Sequence, residues 1–336
     1  MAYDVKVHID LAKPVGSIGF GMPLILLENA SKAIEYAEVS SVAEMVELGF
    51  TAGSNAHKAA QLIYAQKHAP KTIAVVAVAA AATEALEDPI LVEKGWRQLI
   101  VVSENEESAS TVSAISAAVE ALEHKMYFAS LDTDDATTIA VSGLDHTVLF
   151  YCDATEAAPV PVAALVGETA GMAAGSFTYK NLMLSGILPQ ELTETEIEAI
   201  HNKGGITFVQ KAGDNVTSEG KTVGGEYIDI IDSEDYIVQQ IAYKTQRMLN
   251  TSAKVAYDNN GIAALESVAV DVLQSAYNNG MIATNEDGAA AYSVNYAMRE
   301  DTTEADRAKR QYLGGSFTFA LAGAIHHVEI TGEITV

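Results

Sequence analysis

The spacing of apolar and polar residues changes character along this chain. Near the start, Val5, Val7, Ile9 and Leu11 fall on one side of an alternating run, the period of a strand with one buried face. Residues 16–27 are glycine-rich and then continuously apolar, which predicts a buried strand. Residues 41–48 predict a short helix capped by Ser40 or Ser41. From about residue 54, helix and strand patterns alternate. Helices are expected over 55–68, around Ile90 after Pro89, and over 112–122. Strands are expected over 72–78, 98–102, 126–130 and 147–151. Short apolar strands separated by helices read as βαβ units, hence a parallel sheet covered on both faces.

The second half reads differently. An alanine-rich helix is expected over 159–171, an extended segment over 175–180, and a helix from 192 with Thr193 as its cap. Gly204 and Gly205 end that helix before a strand at 206–211. The apolar run at 226–231 is taken as the return strand, so 206–231 predicts a β-hairpin. Long helices follow over 233–249 and 262–277, the latter ending at Asn279-Gly280. A strand is expected at 291–298 and a short helix at 302–312. Phe317, Phe319 and Leu321 then alternate with smaller residues, and Val328, Ile330, Ile334 and Val336 alternate with polar ones. Chain ends fray unless something ties them down. Adhesive strand patterns at both ends therefore predict strand exchange between subunits. The fold class expected is α/β and α+β.

Composition narrows the function. The chain has 336 residues, 49% of them apolar, enough for two domains or one core with a large insertion. A formal net charge of −25 opposes binding to nucleic acid, whose phosphates such a surface repels. The one cysteine, Cys152, allows no internal disulfide. Residues 1–10 lack the basic-then-apolar pattern of a signal peptide, and no apolar run of about eighteen residues predicts a membrane span.

Candidate chemistry is sparse. Gly220-Lys221-Thr222 lacks the earlier glycine of a phosphate-binding loop, since position 215 is Asn, and a hairpin tip is expected instead. Gly16, Gly19 and Gly21 precede no helix pattern, so no dinucleotide fingerprint is read. Cys152 and His146 are close in sequence, but a lone cysteine is more often a small core residue. His326 and His327 are adjacent and would point to opposite faces of a strand. The acidic run Asp132, Asp134 and Asp135 reads first as a solvated turn, with cation binding as the sharper alternative. No catalytic, cofactor-binding or metal-binding residue is assigned. One exception to the acidity stands out: Arg307, Lys309 and Arg310 beside the single acid Asp306. A local positive stripe on an acidic chain suits docking of an acidic partner.

Four passages carry a family likeness: KGWRQLIVVSENEES (94–108), the run from SFTYK at 176 to FVQ at 210, GEYIDIIDSEDYIVQQIAYKTQRMLN (225–250), and AGAIHHVEITGEITV (322–336). In this order the chain resembles the sheath proteins of contractile phage tails and tail-like particles, in a short form. The resemblance implies a structural protein, not an enzyme, without cofactor. It implies stacked hexameric rings around a tail tube, and contraction that drives the tube through a bacterial envelope. It implies a sheath core domain built from 1–50 and 175–336, tube-facing, with an outer α/β domain at 51–174. Inter-subunit arms would lie at about 1–15 and 322–336, using Val5, Val7, Ile9, Val328, Ile330, Ile334 and Val336. Arg307, Lys309 and Arg310 would touch the tail tube. Partners would be further copies of the chain, the tube protein, and baseplate and tail terminator proteins, with no nucleic acid and no membrane insertion. The place implied is the virion tail or an extracellular tail-like particle, assembled in the bacterial host cytoplasm. Two rivals remain: a flavodoxin-like α/β enzyme or small-ligand binder using Asp132–Asp135 and Glu104–Glu107, and another self-assembling protein such as a surface-layer or tail-tube subunit.

Overall fold

The computed structural model describes residues 21–103, 109–122, 124–134 and 143–326. Its centre is an eight-stranded sheet of β1 (Pro23–Leu27), β2 (Ile34–Val39), β3 (Ile73–Ala77), β4 (Gln98–Val102), β5 (Met126–Leu131), β6 (Thr147–Tyr151), β7 (Gly205–Lys211) and β8 (Asp214–Thr217). The spatial order is β2-β3-β1-β4-β5-β6-β7-β8. The six inner strands are parallel, and β2 and β8 pair antiparallel at the two ends.

Alternation within each strand feeds two separate cores. Ile25, Val75, Ile100, Phe128, Phe150 and Phe208 face one side. There they meet α1 (Val42–Glu47), α2 (Asn55–Tyr64) and α6 (Val162–Ala170). Leu24, Leu26, Leu99, Tyr127, Leu149 and Tyr151 face the other. They meet α3 (Ala82–Ala85), α4 (Pro89–Val92), α5 (Ala109–Glu120) and α7 (Glu194–His201). Each such side chain, removed wholly from water, contributes roughly 1.5–3 kcal/mol. The helices start where their caps dictate: Ser41 and Ser54 accept from the N–H groups of Glu44 and His57, and Thr193 forms a reciprocal capping box with Glu196. Gly167 lets α6 lie against α2, since a Cβ there would stand 2.6 Å from Ile63 Cα.

A third core belongs to the C-terminal part. Here α8 (Ile228–Thr251) and α9 (Asn259–Asn278) pack on a two-stranded antiparallel sheet, β9 (Tyr292–Tyr296) and β10 (Gly315–Phe319). Ile237, Ile241, Val272, Leu273 and Ala276 meet Tyr292, Val294, Phe317 and Phe319 across this layer. Between the strands lies α10 (Glu304–Lys309).

The large sheet draws on strands from both sides of 50/51 and 174/175: β1 hydrogen-bonds to β3 and β4, and β7 hydrogen-bonds to β6. Two expectations change. The return strand of the hairpin is Asp214–Thr217, whereas 228–251 is one helix. Its first turn looks like a strand because Asp232 and Asp235, polar by type, sit on the buried helical face. Residues 175–180 join no strand.

Candidate assembly surface

The sheet β9–β10 has the geometry of an acceptor. Ala297 N–H donates to Gly314 O and Ala320 N–H to Ala291 O, each in a directly opposed pair. Pairing alternates in an antiparallel ladder. The main-chain groups of Ser316 and Thr318 therefore face β9, while those of Gly315, Phe317 and Phe319 face the outer edge. No described strand covers that edge. Ring faces of Phe317 and Phe319 stack 6.2 Å apart on the inner side. An uncovered edge of this kind is a template for a further strand.

The short helix α10 lies between these strands in sequence. Thr303 caps it, accepting from Asp306 N–H. Arg307 is committed within the molecule: its Nη1 donates to the carbonyls of Arg299 (3.2 Å) and Thr302, and to Thr302 Oγ1 (3.2 Å). Lys309 and Arg310 are exposed, and Arg310 ends the helix in the left-handed region at φ 56°. Beyond the ladder, Met298 and Leu313 stand at opposed positions, exposed by 53% and 75%. Of the basic stripe, then, two residues are presented outward beside an apolar pair.

A buried ionic joint binds the C-terminal part to the large sheet. Arg97, just before β4, donates to Asp232 Oδ1 (2.6 Å from Nη2) and Asp235 Oδ2 (2.6 Å from Nη1) on α8. Its Nη1 also reaches His124 O at 3.0 Å. Tyr179 donates to Asp232 Oδ2 (2.8 Å), and His124 Nδ1 lies 3.1 Å from Asp235 Oδ1. Burial opposes the Arg97 charge, but Asp235 and then Asp232 outweigh it and its pKa is raised. Burial likewise opposes the Asp235 charge, yet Arg97 and His124 hold its carboxyl below the usual range. Beside them, burial and then Arg97 pull the Lys125 ammonium down to about 7. The sequence hid this joint, because Arg97, Asp232 and Asp235 look like surface residues until the helix and the strand are brought together.

Several residues weighed from sequence for chemistry have other partners in the structure. Cys152 is buried, accepts from Gln190 Nε2 (3.4 Å), and burial and then Asp153 push its thiol up to about 12. His146 pairs instead with Glu120 at 3.2 Å. Asp132 accepts from Ala154 N–H (2.9 Å), and Asp153 accepts from Thr133 N–H (2.8 Å), so these carboxylates close turns. Asp135 and residues 104–107 lie outside the described residues. Among the described residues, no group of three or more His, Cys, Asp or Glu could hold a metal ion. The strand order reverses direction at β1 and β4, where an α/β ligand crevice would open. There Glu28 accepts from Ala82 N–H (2.8 Å) and Asn55 donates to Ser103 O (2.9 Å). Gly220–Thr222 leads into a turn at 223–225 that the Lys221–Tyr227 bridge closes, with Lys221 over the Tyr227 ring. The arm residues Val5, Val7, Ile9, Val328, Ile330, Ile334 and Val336 lie outside the described residues.

Comparison with known proteins bears on the fold. Residues 228–334 match the family model described as E217 tail sheath protein gp31-like, C-terminal domain. No curated protein matches. Among solved structures, a chain of the anti-feeding prophage (AFP) baseplate, six-fold symmetrised, superposes with TM-score 0.73 at 14% identity, covering 100% of both chains. The AFP helical sheath in its contracted state gives TM-score 0.72 at 14% identity over 98% of each chain. The contracted PVC sheath complex of an extracellular contractile injection system gives 0.72 at 12% identity, over 100% of this chain and 98% of that one. Such low identity with such full coverage speaks for the fold. The whole chain has the fold of these contractile-sheath structures, and its residues 228–334 match the tail-sheath C-terminal domain model.

Proposed function

We propose that this chain is the structural subunit of a contractile tail sheath, in a phage or an extracellular tail-like particle. The observation that carries this reading is the whole-chain superposition on sheath subunits, joined to the tail-sheath match over α8 to the C-terminus. Copies stack as hexameric rings around a tail tube, starting from a baseplate and ending at a terminator protein. The open β10 edge receives an arm from another copy, whose apolar residues are Val5, Val7 and Ile9 or Val328, Ile330, Ile334 and Val336. Main-chain hydrogen bonds across such an added strand survive rigid-body rotation of the units they connect. A head-to-tail contact that does not close on itself generates an open helical tube. Lys309 and Arg310 face an acidic tube surface, while Arg307 shapes the turn that presents them. We further place the division of the chain near residue 228, with the large sheet outward and the α8–β10 unit inward.

Negative-stain microscopy of the purified protein tests this. Tubes or sheath-like polymers are expected, and deletion of residues 327–336 removes them while leaving the monomer folded. Monodisperse monomers under all assembly conditions would falsify the reading. Lys309→Glu with Arg310→Glu separates the two surfaces: tubes persist, but co-assembly with the tube protein falls by about tenfold or more, the scale of reversing charge at a docking surface.

A further inference from the structure

After β10 the chain turns back over the C-terminal unit and then leaves it. Ala320 donates to Ala291 O (2.9 Å), Ala322 donates to Met281 O (2.8 Å), and Leu321 bridges Ile282. Ile325 is then 83% exposed. The next side chain does the opposite. His326 is seated between the loop that joins β8 to α8 and the segment after α6. Its Nδ1 lies 3.0 Å from Glu219 Oε1, its Nε2 lies 2.8 Å from Thr178 Oγ1, and the Tyr227 ring stands edge-on at 4.7 Å. A carboxylate only accepts, so Nδ1 carries the proton and Nε2 accepts from the Thr178 hydroxyl.

We infer that His326 is a positioning residue, a latch that fixes where the C-terminal arm leaves the molecule. This rests on the arm reading above. An arm that links neighbours transmits force only if its root is fixed, and between Ala322 and His326 the chain is otherwise exposed. Apart from the edge of the Tyr227 ring, the contacts shown for the seat are hydrogen bonds and charges. Glu219 is itself held in place, accepting from Gly220 N–H (3.0 Å) and lying 3.4 Å from Lys180 Nζ. Lys211 and His201 act on Glu219 from β7 and α7. On the α8 side, Asp229 acts on His326 electrostatically, and its Oδ1 is buried without a hydrogen-bond partner. The acids facing His326 are thus Glu219 and Asp229, with the cations Lys180 and Lys211 and the His201 imidazole lying beyond Glu219.

Hydrogen exchange on the full-length chain, read as protection factors, tests this. His326→Ala is expected to lower protection over 320–326 by about tenfold, the scale of one hydrogen bond to a charged group. His326→Gln keeps a neutral partner and restores part of it. Glu219→Gln, which removes the charge facing Nδ1, is expected to lower protection over the same residues. Equal protection in the natural chain and His326→Ala overturns the proposal. So does an equal loss of protection across α9 and β9, which would mark a merely structural residue. The readout needs no tubes, so failure of the latch and failure of the sheath reading are separately visible.

Discussion

Without Arg97, Asp232 and Asp235 stay buried with Tyr179 and His124 as their remaining side-chain partners among the described residues. A buried carboxylate that loses its cation is far costlier than the pair was beneficial. Arg97→Met is therefore expected to cost about 3–5 kcal/mol, seen as a lower denaturation midpoint. Replacing Arg97, Asp232 and Asp235 together by apolar residues of similar size should cost less than that single change, because no charge is left stranded. The same cluster sets a pH dependence. Asp235 has a folded pKa below its ordinary value, so its contribution is present above about pH 3.9 and is lost as pH falls through the folded value. Lys125 has the opposite sense. Its folded pKa of about 7 lies below the unfolded value, so the folded state binds fewer protons above pH 7 and stability rises with pH there. The rise in unfolding free energy above pH 7 should shrink in Lys125→Met. A profile identical to the natural one would mean that the ammonium stays charged over the Trp96 ring, which it faces at 4.2 Å.

At the scale of elements, the β10 edge invites a paired substitution. Phe317→Ala and Phe317→Pro both remove the ring from the third core, so both should destabilise the chain by about 3–5 kcal/mol. Only proline also removes the N–H that faces the outer edge, and that N–H takes no part in the β9 ladder. Tubes that survive the alanine change but not the proline change locate strand addition on β10. Tubes that survive both place it elsewhere. This edge was legible in sequence because Phe317 and Phe319 alternate with Ser316 and Thr318, so the two-sided environment is written into the residue types. Strands β3 to β6 were legible for a related reason: each is a short apolar run, the mark of burial on both faces. The run at 226–231 misled because six residues cannot separate a period of 2 from 3.6, and the next buried position is an aspartate. Strand β2, IEYAEV, escaped notice because it is an outer strand, mostly half-exposed, with no apolar run. The basic stripe was visible, but the inward role of Arg307 was not, since it depends on where the 299–302 turn brings its carbonyls.

For the whole molecule, charge and assembly oppose each other. Each copy carries a formal charge of −25, and a sheath brings many copies together. Their repulsion reaches about 30 Å at 0.01 M salt but only about 8 Å at 0.15 M. Main-chain pairing at β10 and apolar arm residues are insensitive to salt over this range, whereas repulsion between bodies is not. Raising ionic strength from about 0.01 to about 0.15 M should therefore lower the protein concentration at which tubes form, with the fold itself little changed. Light scattering across that range, with microscopy to confirm tubes, reads the effect. The proposed docking of the tube protein through Lys309 and Arg310 should have the opposite dependence, because screening weakens an attraction between unlike charges. Sheath self-assembly and tube attachment should thus respond to salt with opposite signs. If polymers instead dissolve as salt rises, subunit contacts are ionic rather than strand-mediated, and the linkage through β10 fails with them.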